Sequence, residues 1–320
     1  MLRNASKIFL LLLLPILCGC KTKKSTRALL DSAQEGYVEA GGGVRLFYRL
    51  LGAGPDTLVM IHGGPGFTMD YFLEDLAPLA EHHALLFYDQ RGAGRSTLTS
   101  DSISLDAQRF VEDVEAIRKH FGIGRLKLFG HSWGSAVVAL YAMRYPEQLS
   151  QIIIVGALPL QQYQLIDAFK QMEANRDSTT LRRMRELRAA RLADPGNSEP
   201  CTAYYTLWFQ PFFGNHKAKP SKGDFCAGTL ESRRNKMLSV DKFTMASLGQ
   251  WDWRLPLSKV KVPALVIHGT MDPLPSGGAK AWSSSMPNCD LVLLDGIGHF
   301  PYLEVPDLFF QKVNEFLQKN

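Results

Sequence analysis

The sequence predicts an α/β fold: a mostly parallel central sheet with helices on both faces and an inserted helical cap. Three observations predict it. Short apolar runs at 57–61, 84–88, 126–129, 149–155, 264–267 and 290–294 alternate with segments of helical periodicity, as parallel strands joined by crossover helices do. That rhythm stops at Gly156 and resumes near Arg254, after an insertion too long to be an ordinary connection. Finally, Gly130-His131-Ser132-Trp133-Gly134 lies between an apolar run and a stretch of small apolar residues, where the chain must turn sharply from strand to helix.

The elements follow in order. Tyr37–Ala40 and Val44–Leu50 flank Gly41-Gly42-Gly43 and read as a hairpin. Strand Thr57–Ile61 runs into His62-Gly63-Gly64-Pro65-Gly66. A helix over Met69–Glu81 leads to strand Ala84–Tyr88 and the loop Asp89-Gln90-Arg91-Gly92-Ala93-Gly94-Arg95-Ser96. Phe110, Val114, Ile117 and Phe121 fall at helical spacing within 106–121. Strand 126–129, the turn at Ser132, a helix over 135–145 and strand Leu149–Val155 complete the first part of the core. Residues 157–253 read as the helical cap, interrupted by Pro/Gly-rich stretches at 194–200 and 211–223. Strand Ala264–Ile267, a helix near 277–285, strand Asp290–Leu294 and helix Pro306–Gln318 resume the core, which spans 35–156 and 254–320.

With 46% hydrophobic and 21% charged residues, the composition is that of a globular chain with a sizeable core. The formal charge of +5 is concentrated in residues 1–30, which hold six Lys/Arg and no acid; the remainder has 30 basic against 31 acidic residues. No nucleic-acid footprint is present. Arg3 and Lys7 precede the apolar stretch Ile8–Leu17, which is short of the ~20 residues a membrane span needs and reads as a signal-peptide core. Residues 1–20 are therefore assigned to a signal peptide. Its end, Leu17-Cys18-Gly19-Cys20, resembles the bacterial lipobox, with Cys20 as the lipidated residue. Residues 21–34 then form a polar tether, and the expected location is the cell envelope, as a lipoprotein facing the periplasm and touching the membrane only through its anchor. A plain cleaved signal is the alternative. In an oxidising compartment a Cys201–Cys226 bridge and two isolated buried thiols fit the sequence equally well. No C-x-x-C or His-rich spacing calls for a metal, and the oligomeric state is not legible.

Three loops at the carboxyl edge of the sheet carry the candidate chemistry, since open α/β sheets bind ligands there. Ser132 follows one strand, Asp272 follows 264–267, and His299 follows 290–294. The order Ser…Asp…His, with 140 residues and then 27 between them, is that of the α/β-hydrolases. His299 takes the proton from Ser132, and Asp272 holds the imidazole tautomer. An oxyanion needs two preorganised donors: the Trp133 amide and a second from the Gly-rich loop, assigned to Gly64. Asp295 is a rival to Asp272. His62 is read as shaping the Gly-rich loop, His131 as the variable elbow residue, and Asp89 and Arg91 as braces of the loop 89–96. The arginines at 176, 182, 183, 185, 188 and 191 read as a solvated helix face.

His62-Gly63-Gly64-Pro65-Gly66, Asp89-Gln90-Arg91-Gly92-Ala93-Gly94-Arg95-Ser96 and Gly130-His131-Ser132-Trp133-Gly134-Ser135 together resemble the prolyl aminopeptidase (proline iminopeptidase) family of α/β-hydrolases. The resemblance covers residues 40–155 and 255–320 and is poorest in the cap. It implies an α/β-hydrolase core, a helical cap, the triad above, no cofactor, and release of N-terminal proline or another small apolar residue from a small peptide. Family members hold the substrate amine with cap glutamates or a glutamate beside the catalytic Asp. Here Asp272 is followed by Pro273, and Trp208 has no adjacent acid. Glu231, in Glu231-Ser232-Arg233-Arg234-Asn235, resembles a Glu-x-Arg-Asn stretch of the tricorn-interacting branch and is the candidate substrate-binding acid. The missing carboxylate keeps two alternatives in view: a carboxylesterase acting on a small acyl substrate, and a non-catalytic envelope binding lipoprotein. Trp208, Phe209, Phe212, Phe213, Trp251 and Trp253 are candidates for a pocket floor or for cap-to-core packing.

Overall fold

A computed structural model describes residues 26–54, 56–214 and 223–319. The signal-peptide segment and Cys20 lie outside them. Eight strands form one sheet in the order β1-β2-β4-β3-β5-β6-β7-β8: β1 (Gln34–Glu39), β2 (Arg45–Leu51), β3 (Thr57–Ile61), β4 (Ala84–Tyr88), β5 (Leu126–His131), β6 (Leu149–Val155), β7 (Ala264–Gly269) and β8 (Cys289–Leu294). β2 runs antiparallel to β1 and β4, and every other pair is parallel. Because strand side chains alternate faces, each central strand feeds two cores. Val59 and Ile61 of β3 and Ile152 and Ile154 of β6 enter one apolar cluster; Leu58, Met60, Ile153 and Val155 enter the other. Burial on both faces is why these strands read as continuous apolar runs.

Two stretches differ from the sequence-based expectation. Within the supposed tether, Thr26–Asp31 is a helix whose Leu29 is buried in the second cluster. Arg49 Nη2 donates to Leu30 O at 3.0 Å, docking that helix on β2. Leu29 is its one fully buried side chain, with Leu30 packed in part on the same cluster, and so short an apolar contact does not register as periodicity. The helix expected over Met69–Glu81 is instead three short pieces, Met69–Tyr71, Leu73–Leu76 and Ala77–Glu81. Pro78 removes a backbone donor in the last of them.

Between β6 and β7 the chain leaves the sheet. The helices Gln162–Ala174, Ser178–Ala193, Ser198–Phe209, Leu230–Asn235 and Asp241–Ser247 lie in this insert. A bridge between Gln161 and Asp252 closes its base. Cys201 and Cys226 are joined by a disulfide, with Cα atoms 6.0 Å apart. Trp251 and Trp253 stack on one another at 5.4 Å and are buried in the first core cluster. They pack the insert's base onto the sheet and take no part in the cavity described next.

Candidate active site

Strand β5 ends at His131, and the helix Trp133–Arg144 begins two residues later. Ser132, between them, has φ 55° and ψ −120°, and among the described residues no other non-glycine has positive φ. Such a conformation costs on the order of 1–3 kcal/mol and persists only where its surroundings enforce it. Here they do. The Ser132 amide donates to Val155 O at 3.0 Å. Ser135 Oγ donates to Ser132 O at 2.6 Å and accepts from the Leu158 amide at 2.9 Å.

His299 and Asp272 meet at the mouth of β7 and β8. Asp272 Oδ2 is 2.6 Å from His299 Nδ1, and its Oδ1 accepts from the Leu274 amide at 2.9 Å. Both residues are buried, at 7% and 2% exposure. Asp295 is exposed and accepts from Thr270 Oγ1 at 3.1 Å, so it is not the partner of His299. The backbone of the histidine loop is clasped by the insert: His299 N–H donates to Phe212 O at 2.7 Å. The Glu304 carboxylate accepts from Gly298 N–H and Gly214 N–H, each at 2.9 Å, stitching loop to insert.

Ser132, His299, Gly64 and Trp133 line one cavity of about 430 Å³. No hydrogen bond joins Ser132 to His299 among the described residues, and catalytic contacts often tighten only around substrate. The Gly63 amide is spent on Tyr71 OH at 2.6 Å. The Gly64 amide forms no bond among the described residues, and Trp133 N–H opens a helix, where backbone donors lack internal partners. Both residues line the cavity, and neither amide has a protein acceptor among the described residues.

A hydrogen-bond relay fixes three loops relative to one another. Tyr71 OH accepts from Gly63 N–H and lies 2.6 Å from His131 Nδ1; His131 Nε2 lies 3.2 Å from His299 O. With a neutral imidazole only one proton assignment satisfies all three: Tyr71 donates to Nδ1, and Nε2–H donates to the carbonyl. Burial first, then the neighbouring His299, pushes the His131 pKa well down, keeping the ring neutral as the relay requires. A second set of bonds joins the Gly-rich loop to the elbow. Gln90 Nε2 donates to His62 O at 2.7 Å, and Trp133 Nε1 donates to Gln90 Oε1 at 2.9 Å. His62 Nε2 accepts from the Gln90 amide at 3.1 Å, and burial takes its pKa down to about 4. Asp89 braces the same loop through the Met69 and Arg95 amides at 2.9 and 3.0 Å. Arg91 is buried against Asp113, its Nε 2.7 Å from Oδ2.

The remaining sequence candidates separate. Glu231 is exposed and does not line the cavity. At the start of a short helix, its neighbours Ser232 and Asn235 turn inward instead, bonding Gly94 N–H at 2.6 Å and Gly92 O at 2.8 Å. Glu231 thus stands apart from the lining of the cavity. Trp208, Phe209 and Phe212 line the cavity, while Phe213 stacks on Phe300 at 5.1 Å outside it. The arginines do not form one solvated face. Arg188 and Arg191 reach the cavity, and Arg176 binds Leu207 O and Trp208 O at 2.7 and 2.8 Å. Tyr71, Gln90 as a bridge, Glu304 and Arg191 escaped the sequence. Only Gln90 lies in a recognisable motif.

Replacing Tyr71 by Phe leaves the buried Gly63 N–H and His131 Nδ1 without their partner. Urea denaturation should show a loss of about 1–3 kcal/mol. The same change at Tyr163, which is 57% exposed, should cost no more than ~0.5 kcal/mol.

The sequence matches the alpha/beta hydrolase fold family over residues 56–306. Proline iminopeptidases from Thermoplasma volcanium and Saccharolobus solfataricus are 28% and 27% identical over 308 and 296 residues. These alignments cover 91% and 90% of this chain and 99% and 93% of the relatives. Among solved structures, VinJ superposes with a TM-score of 0.73 at 24% identity, covering 89% of this chain and 98% of VinJ. A proline iminopeptidase from Mycobacterium smegmatis gives 0.67 at 21% identity, with the same coverage of 89% and 98%. Both superpositions report on the fold. With that match over most of its length, and with an eight-stranded, mostly parallel sheet, the chain belongs to the alpha/beta hydrolase fold family.

Proposed function

We propose that this protein is a serine hydrolase that releases N-terminal proline or another small apolar residue from short peptides through an acyl-enzyme. The observation that carries the chemistry is Ser132 on its strained turn, sharing a cavity with a histidine whose Nδ1 is 2.6 Å from a buried carboxylate. With Nδ1 engaged by Asp272, the basic nitrogen of His299 is Nε2. It accepts the Ser132 proton as Oγ attacks the carbonyl, and returns it to the leaving amine as the C–N bond breaks. Water then repeats the attack on the acyl-enzyme. The amides of Gly64 and Trp133 are proposed to hold the oxyanion. The rings of Phe67, Phe209, Phe212 and Phe225 give the cavity an apolar wall suited to a small apolar side chain. Support for a peptide substrate comes from the relatives named proline iminopeptidase.

One observation favours a second reading, a carboxylesterase. Asp241 is the one carboxylate among the residues that line the cavity, and Lys236 Nζ lies 3.5 Å from it. A desolvated α-ammonium would therefore meet little negative charge. A panel of Pro-, Ala- and Leu-arylamides beside short acyl esters separates the two. The first reading expects turnover of aminoacyl-arylamides that depends on a free amine; ester turnover with none of arylamides would replace it by the second. Ser132→Ala should lower kcat about 10⁶-fold on whichever substrate is used.

We infer further that the protein is a lipoprotein of the cell envelope, anchored through Cys20. The lipobox-like Leu17-Cys18-Gly19-Cys20 supports this, and the Cys201–Cys226 disulfide is in keeping with an oxidising compartment. Radiolabelled palmitate should enter the wild-type chain in cells and be absent from Cys20→Ala; equal labelling of the two would overturn the assignment.

A further inference from the structure

Buried cations in this chain are matched with acceptors. Arg91 faces Asp113, Lys127 Nζ lies 2.8 Å from Asp56, and Lys236 Nζ donates to Pro65 O at 2.7 Å and faces Asp241. Arg191, on the helix Ser178–Ala193, differs. It is 6% exposed, lines the catalytic cavity, and has no carboxylate partner among the described residues. Among the described residues its one hydrogen bond runs from Nη2 to Tyr205 OH at 3.1 Å. The guanidinium carbon sits 4.5 and 4.6 Å from the ring centres of Tyr204 and Tyr205. A guanidinium carries five N–H donors in a planar fork. Two tyrosine rings thus hold the fork at the cavity wall, and among the described residues only Nη2 is spent on a protein acceptor. An arginine serving only to join helices has a different look: Arg176 spends Nη1 and Nη2 on the carbonyls of Leu207 and Trp208. Arg188, three residues before Arg191, lines the same cavity from an exposed position and adds a second positive charge.

Aromatic rings line the wall between this charge and the nucleophile. Tyr205 contacts Phe67 at 5.1 Å between ring centres, and Phe67 contacts Tyr71 at 5.7 Å. Tyr71 in turn is bonded to His131, the neighbour of Ser132. Arg191 and Ser132 line the same cavity, so one substrate can meet both. Resting on the serine-hydrolase reading above, we propose that Arg191 is a specificity residue that binds a carboxylate carried by the substrate, with Arg188 assisting. That carboxylate has two sources, the C-terminus of a dipeptide or the far end of a dicarboxylic acyl group, and a planar guanidinium suits either.

The test compares pairs matched in chain length, one member ending in a carboxylate and the other in a neutral group, with the purified full chain. One arm sets Pro-Ala against Pro-Ala-amide; the other sets the 4-nitrophenyl monoester of succinic acid against 4-nitrophenyl pentanoate. Wild-type kcat/KM should favour the carboxylate by about tenfold or more in one arm, which identifies the source. Arg191→Gln should bring that ratio close to one, and Arg191→Lys should retain part of it. A wild-type ratio near one in both arms overturns the proposal, as does an Arg191→Gln variant that lowers both members of a pair by the same factor. Protection of Ser132 from a fluorophosphonate, by pentanoate against pentanamide, reads the same preference without turnover. Loss of peptide hydrolysis with that preference intact would count against the peptidase reading and leave the carboxylate site standing.

Discussion

At the turn from β5 into the helix Trp133–Arg144, strand and helix backbones approach so closely that neither flank of Ser132 admits a Cβ. One added at Gly134 would stand 2.2 Å from Ile61 O, and one at Gly130 would stand 2.7 Å from Gly134 O. Glycine at both positions is the condition for the turn, and the turn is the condition for Ser132 to stand at φ 55°. The neighbouring strand β3 supplies the obstructing carbonyl and then continues directly into the Gly-rich loop. The same contact therefore sets the separation between the serine and the loop amides. Burial supplies the restraint: Trp133 is 1% exposed, packed edge-on against Phe110.

Around that contact the loops are held by polar bonds inside the protein, where water does not compete. Gln90 bridges His62 O and the Trp133 indole, and Tyr71 with His131 bridges the Gly-rich loop and the His299 backbone. Glu304 adds the insert to the same framework. Networks of this kind are costly when incomplete and rigid when complete. The site thus depends on side chains that take no part in bond making. The insert contributes the opposite quality: an aromatic wall and, at Arg191, a positive charge with no carboxylate partner among the described residues. These, we propose, select a substrate rather than turn it over.

Much of this was legible from residues alone. Strands 57–61, 84–88 and 149–155 were read with their observed bounds because two-sided burial writes a continuous apolar run. The glycines of the elbow and of the loop 62–66 were legible because backbone proximity leaves glycine as the one solution. The helix at 26–31 was not, since one buried leucine makes no pattern. Nor was the role of Tyr71, whose partners lie eight and sixty residues away in chain order. Glu231 drew notice as an acid in a suggestive tetrad, but helix phase, which places Ser232 and Asn235 inward and Glu231 outward, depends on where the helix docks. The arginines were misread for the same reason. Composition shows a charged stretch; only packing shows that Arg191 is buried against two tyrosines.

What unites these features is an activated serine, and its activation can be measured apart from any substrate. A fluorophosphonate should modify Ser132 alone, as located by peptide mass spectrometry. Asp272→Asn removes the charge on the carboxylate 2.6 Å from His299 Nδ1 and should slow that labelling by about 10³–10⁴-fold while the chain stays folded. Label on a different serine, or an Asp272→Asn rate equal to that of the wild type, would contradict the assignment of Ser132, His299 and Asp272 as one catalytic unit.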